Sequence, residues 1–455
     1  MSGVDAAAAE QELLALARTV RDRARPGEEV EVVLAQGRST SVKVFGGSVE
    51  SLTVAGGAGA GVRVLAGGRQ GFAHCGTLEP EVLAETLAEA RDNAAFAEPD
   101  EWNGLATPDG VPAVEVDSWS DAVIATATDR KVELALDLER RVTSVDDRVT
   151  SARVSSYSDG WSVHALVSTA GVEVVDRGAS CGISTQPLAR SGDETQIGWG
   201  SDAGRDPEAL DLDRVVDEAV ERATRLLGAT KPGSSRRTIL LEPRMAATLL
   251  GVVSGMLCGD RVVKGRSPFG DRVGEQIASP LLTVTDDPTR TESLAAESHD
   301  GEGLACRPNP LVVGGVLDRF LHDSYSARRS GVASTASAIR GTRSLPGVGA
   351  QLLVVEPGAR SFEELVASID HGLYVTSFSG LHSGINPTSG DFSVGAEGLL
   401  IEGGALSAPV REVTVASTIQ RLLLDVVEVG GDFEWLTSGD GACSLVIGDV
   451  AVSGT

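Results

Sequence analysis

Residues 245–259 (MAATLLGVVSGMLCG) run without a single charged side chain and are followed by a polar block, GEQIASPLLTVTDDPT, at 274–289. A bilayer crossing needs roughly 20 apolar residues, so the uncharged run is too short to span one. It is long enough for a helix of about four turns. The segment is therefore read as a buried helix around which the C-terminal half of the chain must be organised, with Gly251 and Gly255 one turn apart and available for close packing of another backbone.

The chain has 455 residues, 42% apolar and only 4% aromatic, which suffices for more than one domain and a substantial core. Lys and Arg number 39 against 65 Asp and Glu, a net charge of −26 that opposes association with nucleic-acid backbones or anionic lipid. The expectation is a chain that binds neither nucleic acid nor membrane. Five cysteines (Cys75, Cys181, Cys258, Cys306, Cys443) lie far apart with no C-x-x-C pair, the pattern of free thiols in a reducing cytosol. Asp5, Glu10 and Glu12 stand where an export signal would be basic and then apolar, so a cytoplasmic location is expected.

Before residue 230 one pattern occurs twice: helix, several short strands, helix. The first copy takes a helix at 9–25, strands at 30–34, 42–45, 49–54, 61–65 and 70–74, and a helix at 79–96. The second takes a helix at 127–142, strands between 149 and 198, and a helix at 207–227. A proline-bearing connection at 97–120 joins them. After Lys231-Pro232-Gly233 short strand-like runs dominate, beginning at 238–241 and ending at 444–452, with helices at 361–371, where Ser361 and Glu364 form a capping-box signature, and at 417–427. The expected fold class is α+β. Residues 1–230 form an N-terminal domain of antiparallel sheet with flanking helices, and residues 231–455 a mainly β, barrel-like domain enclosing the buried helix.

Several motifs are read as structural. The run GGAGAG at 56–61 imitates a phosphate loop, but extended segments flank it on both sides where a strand and a helix would be required, so it reads as a hairpin turn. Gly178-Ala-Ser180-Cys-Gly182 matches G-x-S-x-G formally, yet a strand continues after it instead of a helix. The six histidines (His74, His164, His299, His322, His371, His382) show no compact ligand spacing and read as exposed or hydrogen-bonded groups. The loop at 381–392 (LHSGINPTSGDF) is different: His382, Asn386, Ser389 and Asp391 are polar groups bounded by strands, able to hydrogen-bond an extended peptide or to build two turns. Glu275 and Gln276 of the GEQ block are further candidates for lining a substrate channel.

The uncharged helix with its polar block, SFEELVASIDHGLYVT from Ser361, GLHSGINPTSGDFSVGAEGLLIEGG from Gly380 and the closing VAVSGT together resemble the TldD/PmbA family of zinc peptidases. In the TldD branch, the resemblance implies, the corresponding helix carries H-E-x-x-x-H, whose histidines hold zinc while the glutamate handles the proton of a bound water. In this chain those histidine positions fall on Leu250 and Gly255 or on Gly251 and Met256, and no histidine anywhere is followed by glutamate. Cys443, the C-terminal thiol that could be compared with a further ligand of that branch, reads as a small buried residue. The chain is thus identified as similar to the PmbA (TldE) branch, which implies no cofactor bound by this chain, zinc in a TldD-type partner subunit, and peptides as substrates. Residues 292–299 and 432–442 depart from the family pattern. Two rivals are a self-associating homodimeric scaffold that binds peptides and an autonomous hydrolase assembled from scattered histidines and carboxylates.

Overall fold

The computed structural model describes residues 5–454. Seven strands form one antiparallel sheet: β1 (Glu28–Phe45), β2 (Ser48–Ala66), β3 (Arg69–Cys75), β4 (Val149–Ser168), β5 (Glu173–Ser191), β6 (Glu194–Ile197) and β7 (Gly200–Gly204). Their order is β3-β2-β1-β4-β5-β6, with β7 also paired to β5. The duplicated pattern accounts for this order, because the first strand of each copy lies at the centre and the two pair with each other from Glu31↔Ser168 to Val44↔Ser155.

Four helices cover one face: α1 (Ala6–Arg21), α2 (Pro80–Phe96), α4 (Thr128–Val142) and α5 (Leu212–Thr224), with the short α3 (Asp121–Ala125) beside them. Period-two alternation sends Val30, Val32, Leu34, Val42 and Val44 of β1 to that face, where they pack with Leu13 and Leu87 in one cluster and with Leu138 and Val215 in another. Close helix approach relies on glycine. A Cβ on Gly71 would meet Ala90 O at 2.0 Å, and one on Gly198 would meet Ala219 O at 1.9 Å. The two copies therefore dock their last helix by the same device.

The strands are longer than expected. Runs at 30–34 and 42–45 are parts of β1, and those at 49–54 and 61–65 are parts of β2. The GGAGAG run at 56–61, expected to be a turn, lies within β2, paired across to Gly37 and Arg38. Glycine hid the continuity, since it lowers strand propensity while leaving an extended backbone free to pair on both sides. The turns fall instead at Gly46-Gly47 and Gly67-Gly68, all at positive φ.

The C-terminal half contains a closed five-stranded barrel. β8 (Ser235–Leu241) pairs in parallel with His371–Ser379, followed in order by Asp391–Glu402, Ala405–Thr418 and Leu445–Ser453, the last of which pairs back to β8. Closure is made by Thr414↔Ser453 through Ala416↔Ala451. The end of β8, Ile239 to Leu241, is buried on both sides, which explains the apolar run there. Ile239 and Leu241 enter the main core, while Leu240 packs under the helix Phe362–Ala367 with Leu365 and Ile369. That helix carries the expected capping box between Ser361 and Glu364.

The C-terminal half docks on the helix-free face of the sheet. Glu31 of β1 and Arg63 of β2 are cross-strand partners on that face and meet Arg340 and Glu302, the four side chains almost wholly buried. Glu31 pairs with Arg340, and Arg63 lies 3.7 Å from Glu31 and 3.8 Å from Glu302. Removing one partner of such a set leaves a buried charge uncompensated. Glu31→Gln is expected to lower unfolding free energy by about 3–5 kcal/mol in urea titrations. In the barrel, a Cβ on Gly398 would lie 1.8 Å from Tyr374 O, so Gly398→Ala is expected to cost about 3 kcal/mol, read as a fall in melting temperature.

Candidate functional site

The uncharged run folds as α6 (Pro243–Met256), opened by Pro243 at its first turn. Met245, Ala246, Leu249, Leu250, Val253 and Met256 are buried in the main core. Arg244, Ala247, Thr248, Gly251 and Gly255, spaced three or four residues apart, form the less buried face. Gly251 is exposed, and a Cβ on either glycine would meet nothing within 4 Å. The expected close backbone contact at these glycines is therefore not made within the chain, because the helix buries its opposite face. At one end Arg244 stacks 4.9 Å from the Trp199 ring, on which Arg222 also lies at 5.5 Å, joining α5 to α6.

Of the positions matching the family's zinc histidines, Leu250 and Met256 point into the core and Gly251 and Gly255 carry no side chain. Among the described residues no group of three or more His, Cys, Asp or Glu side chains is placed to hold a metal ion. The residues at this helix do not fit zinc. Cys443 is fully buried, its thiol pushed up to about 12 by burial and by Asp432 and Glu434.

The sequence-predicted polar residues collect on two sides of the short helix Ile419–Leu424. On one side lies the 381–392 loop, tied to it by Ile419 N donating to Gly390 O at 2.7 Å and Gln420 Nε2 to Ser389 O at 3.0 Å. Asn386 Oδ1 accepts from Thr388 N and Ser389 N, and Ser389 Oγ donates to Asp391 at 2.6 Å, so these side chains shape the loop itself. His382 is exposed on the turn Leu381–Gly384. Across the helix, Ser279 N donates to Leu423 O; Glu275 pairs with Arg272 at 2.9 Å, and Gln276 Nε2 donates to Ala278 O at 3.1 Å.

The fold also assembles a cluster that sequence reasoning missed. His164 of β4 and Asp176 of β5 face each other across the ladder, and His299 Nδ1 lies 3.1 and 3.2 Å from the two Asp176 oxygens. His164 is open to water on one side, and the protein packed around the rest of it holds it below the usual histidine range, partly offset by Asp176. Glu297 is reached by water yet surrounded by protein, and burial together with Asp176 and Asp300 raises its carboxyl to about 7. Beside this cluster the helix-free face is lined with small residues in two registered rows, Gly57·Gly37·Ser162·Gly178 and Ala55·Ser39·Gly160·Ser180. Together with Arg205, Ser118 and Leu294 they bound a cavity of about 600 Å³. Ser180 of the G-x-S-x-G match sits mid-strand here, without the strand-to-helix turn a nucleophile elbow requires.

Comparison with known proteins decides the relationship. Residues 30–94, 123–227 and 234–454 match, in turn, domain 1, the central domain and the C-terminal domain of the PmbA/TldA metallopeptidases. The chain belongs to this family. It is 27% identical to metalloprotease PmbA of Escherichia coli O157:H7, over 90% of this chain and 88% of that one. A Haemophilus influenzae metalloprotease TldD homolog is also 27% identical, over 85% and 81%. Among solved structures, TldE of Thermococcus kodakarensis superposes with a TM-score of 0.86 at 24% identity, covering 98% of this chain and 99% of that one. The family fold thus extends over nearly the whole chain.

Two outcomes are expected of this site. Gly251→Ala fills open space in a helix interior and should stabilise the chain by about 1 kcal/mol, measurable by thermal melting. Glu297 ionises near its ordinary value when unfolded and at about 7 when folded, so the native state holds the extra proton between those values and its contribution to stability declines as pH rises through that window. Glu297→Gln should flatten the loss of stability between about pH 4.5 and 7, in melts across that range.

Proposed function

We propose that this chain is the PmbA/TldE-type subunit of a cytoplasmic TldD/TldE-like metallopeptidase that processes or degrades unfolded or modified peptides. The zinc and its water belong to a TldD-type partner. This chain supplies walls and strand edges around the peptide, with His382, Asn386, Ser389, Asp391, Glu275 and Gln276 as channel-lining candidates. The observation that carries the reading is the less buried face of α6, where a family member matched in all three domains presents Ala247, Thr248, Gly251 and Gly255 and no metal-ligating group. The cavity over the glycine and serine rows fits the same role, since it offers an extended chain space and hydroxyl groups.

The test is zinc content and peptidase activity of the purified chain, alone and after co-expression with a TldD-type subunit. Zinc near one equivalent with peptide cleavage is expected only in the co-expressed complex. Stoichiometric zinc with activity in the chain alone would overturn the proposal and point to an autonomous hydrolase. A chain that never associates with such a subunit would leave the scaffold reading in its place.

A further inference from the structure

Two buried side-chain oxygens in the sheet beneath α6 lack a donor. β9 (Val284–Asp286) lies between β10 (Asn309–Val313) and the strand Leu353–Val355, with Asp286 opposite Asn309 on one side and Leu353 on the other. By these pairings Asp286 and Asn309 share the face of Val284, Val312 and Val355, which join Leu250 and Val253 of α6 in the main core. Both residues are 0% exposed.

Asp286 Oδ1 accepts from Gln351 N and Leu352 N, each at 2.8 Å, while Oδ2 has no hydrogen-bond partner among the described residues. Asn309 Nδ2 donates to Arg307 O at 3.2 Å and to Thr335 O at 3.0 Å. These two carbonyls fix which way the amide points, and its Oδ1 is likewise without a partner. The donors close by are committed elsewhere, Gln351 Nε2 to Ala336 O and Cys306 Sγ to Gln351 Oε1. Directly opposed residues of an antiparallel pair hold their Cβ atoms about 5 Å apart, close enough for one O–H···O bond between the two side chains. Two acceptors without a donor are costly to bury, and one proton relieves both.

The electrostatics favour that proton. The titratable groups that interact with Asp286 are acids and thiols: Asp287, Asp440, Glu297, Cys306 and Cys258. Arg307 is committed to Ala305 O and Asp109. Burial raises the Asp286 carboxyl to about 7 against the pull of its two amides, and Asp287 and Asp440 add to the rise.

We infer that Asp286 stands in the folded chain as a carboxylic acid whose proton, given to Asn309 Oδ1, ties β9 to β10, and that loss of this proton loosens the floor on which α6 rests. The pair is thus a pH switch built into the support of that helix. Once ionised, Asp286 Oδ2 has only an acceptor beside it. Asn309 can turn its amide toward it only by releasing Arg307 O and Thr335 O. In the unfolded chain the carboxyl ionises near its ordinary value of about 4. Stability therefore falls as pH rises from there to about 7 and levels off above, while the native strand pair itself loosens at the upper end of that window. The inference does not rest on the peptidase-subunit reading.

The test sets Asp286→Asn beside the wild-type chain. An asparagine keeps an oxygen for the two amides and supplies an N–H for Asn309 Oδ1, as the protonated carboxyl does. The variant is expected to fold, to melt at or above the wild-type temperature at about pH 8, and to show a flatter fall in stability between about pH 4 and 7. At about pH 6 its infrared spectrum should lack one protonated-carboxyl C=O stretch that the wild type shows. In the wild type, amide exchange corrected for its intrinsic rate is expected to quicken about tenfold at residues 284–286 and 309–313 between about pH 6 and 8, with the barrel strands unchanged. A variant that melts below the wild type at both pH values, with the acid band undiminished, overturns the inference and leaves an ionised Asp286 satisfied by a buried water or cation. So does wild-type exchange that stays constant in these strands. The wild-type exchange decides the matter if the variant fails to fold.

Discussion

The buried set of Glu31, Arg63, Arg340 and Glu302 decides which face of the sheet the rest of the molecule meets. Charges taken out of water are costly, and attraction compensates only when every partner arrives in place. Glu31 and Arg63 come from adjacent strands in register, whereas Glu302 is 239 residues beyond its partner Arg63 and Arg340 is 309 beyond Glu31. Docking the C-terminal half elsewhere would strand two charges in the sheet. Arg63 also donates to Gly104 O at 2.6 Å, and Arg328 donates to the same oxygen at 2.8 Å, so the connection between the repeats is gathered into this contact. The set is not neutralised completely. Burial with Asp300 and Glu31 raises the Glu302 carboxyl to about 7, and burial raises Asp300 to about 6.

The same docking makes the cavity. Contacts such as Gly303 against Val172 and Val174, and Thr342 against Gly59 and Gly61, cover one end of the helix-free face. Further along, the glycine and serine rows cross β2, β1, β4 and β5 with nothing large to fill the space. Large side chains at those positions would close the cavity. The rows also explain why the strands could remain long without forming a second core: their helix side carries the packing, and their other side is kept low.

Much of the fold was legible because apolar periodicity reports burial directly. The duplication, the capping box at Ser361 and the strand at 238–241 all follow from local pattern. The strand ends were misread where glycine interrupts the pattern. Periodicity records side chains, and residues 56–61 have almost none to record. At the site, the lack of a His-Glu pair was legible because it is a local motif. The approach of His299 to Asp176 was not, since those residues are 123 positions apart and meet only after the two halves dock. The direction of the small face of α6 was likewise out of reach. Gly251 and Gly255 look alike in sequence whether another backbone lies against them or open space does.

That face of α6 and the glycine rows of the sheet are alike in what they omit. Each offers backbone and small groups where a reactive or bulky side chain could stand. Cavity walls of this kind lose packing that larger residues would supply, roughly 25 cal/mol for each Å² left unburied. Such a loss is tolerable here because stability is drawn from other layers: the helix-covered side of the sheet, the closed barrel and the continuous core between barrel and α6. A scaffold braced in this way can keep an open interior. The small residues of the two surfaces then determine the space and the polarity of its walls, while the layers beneath them carry the packing.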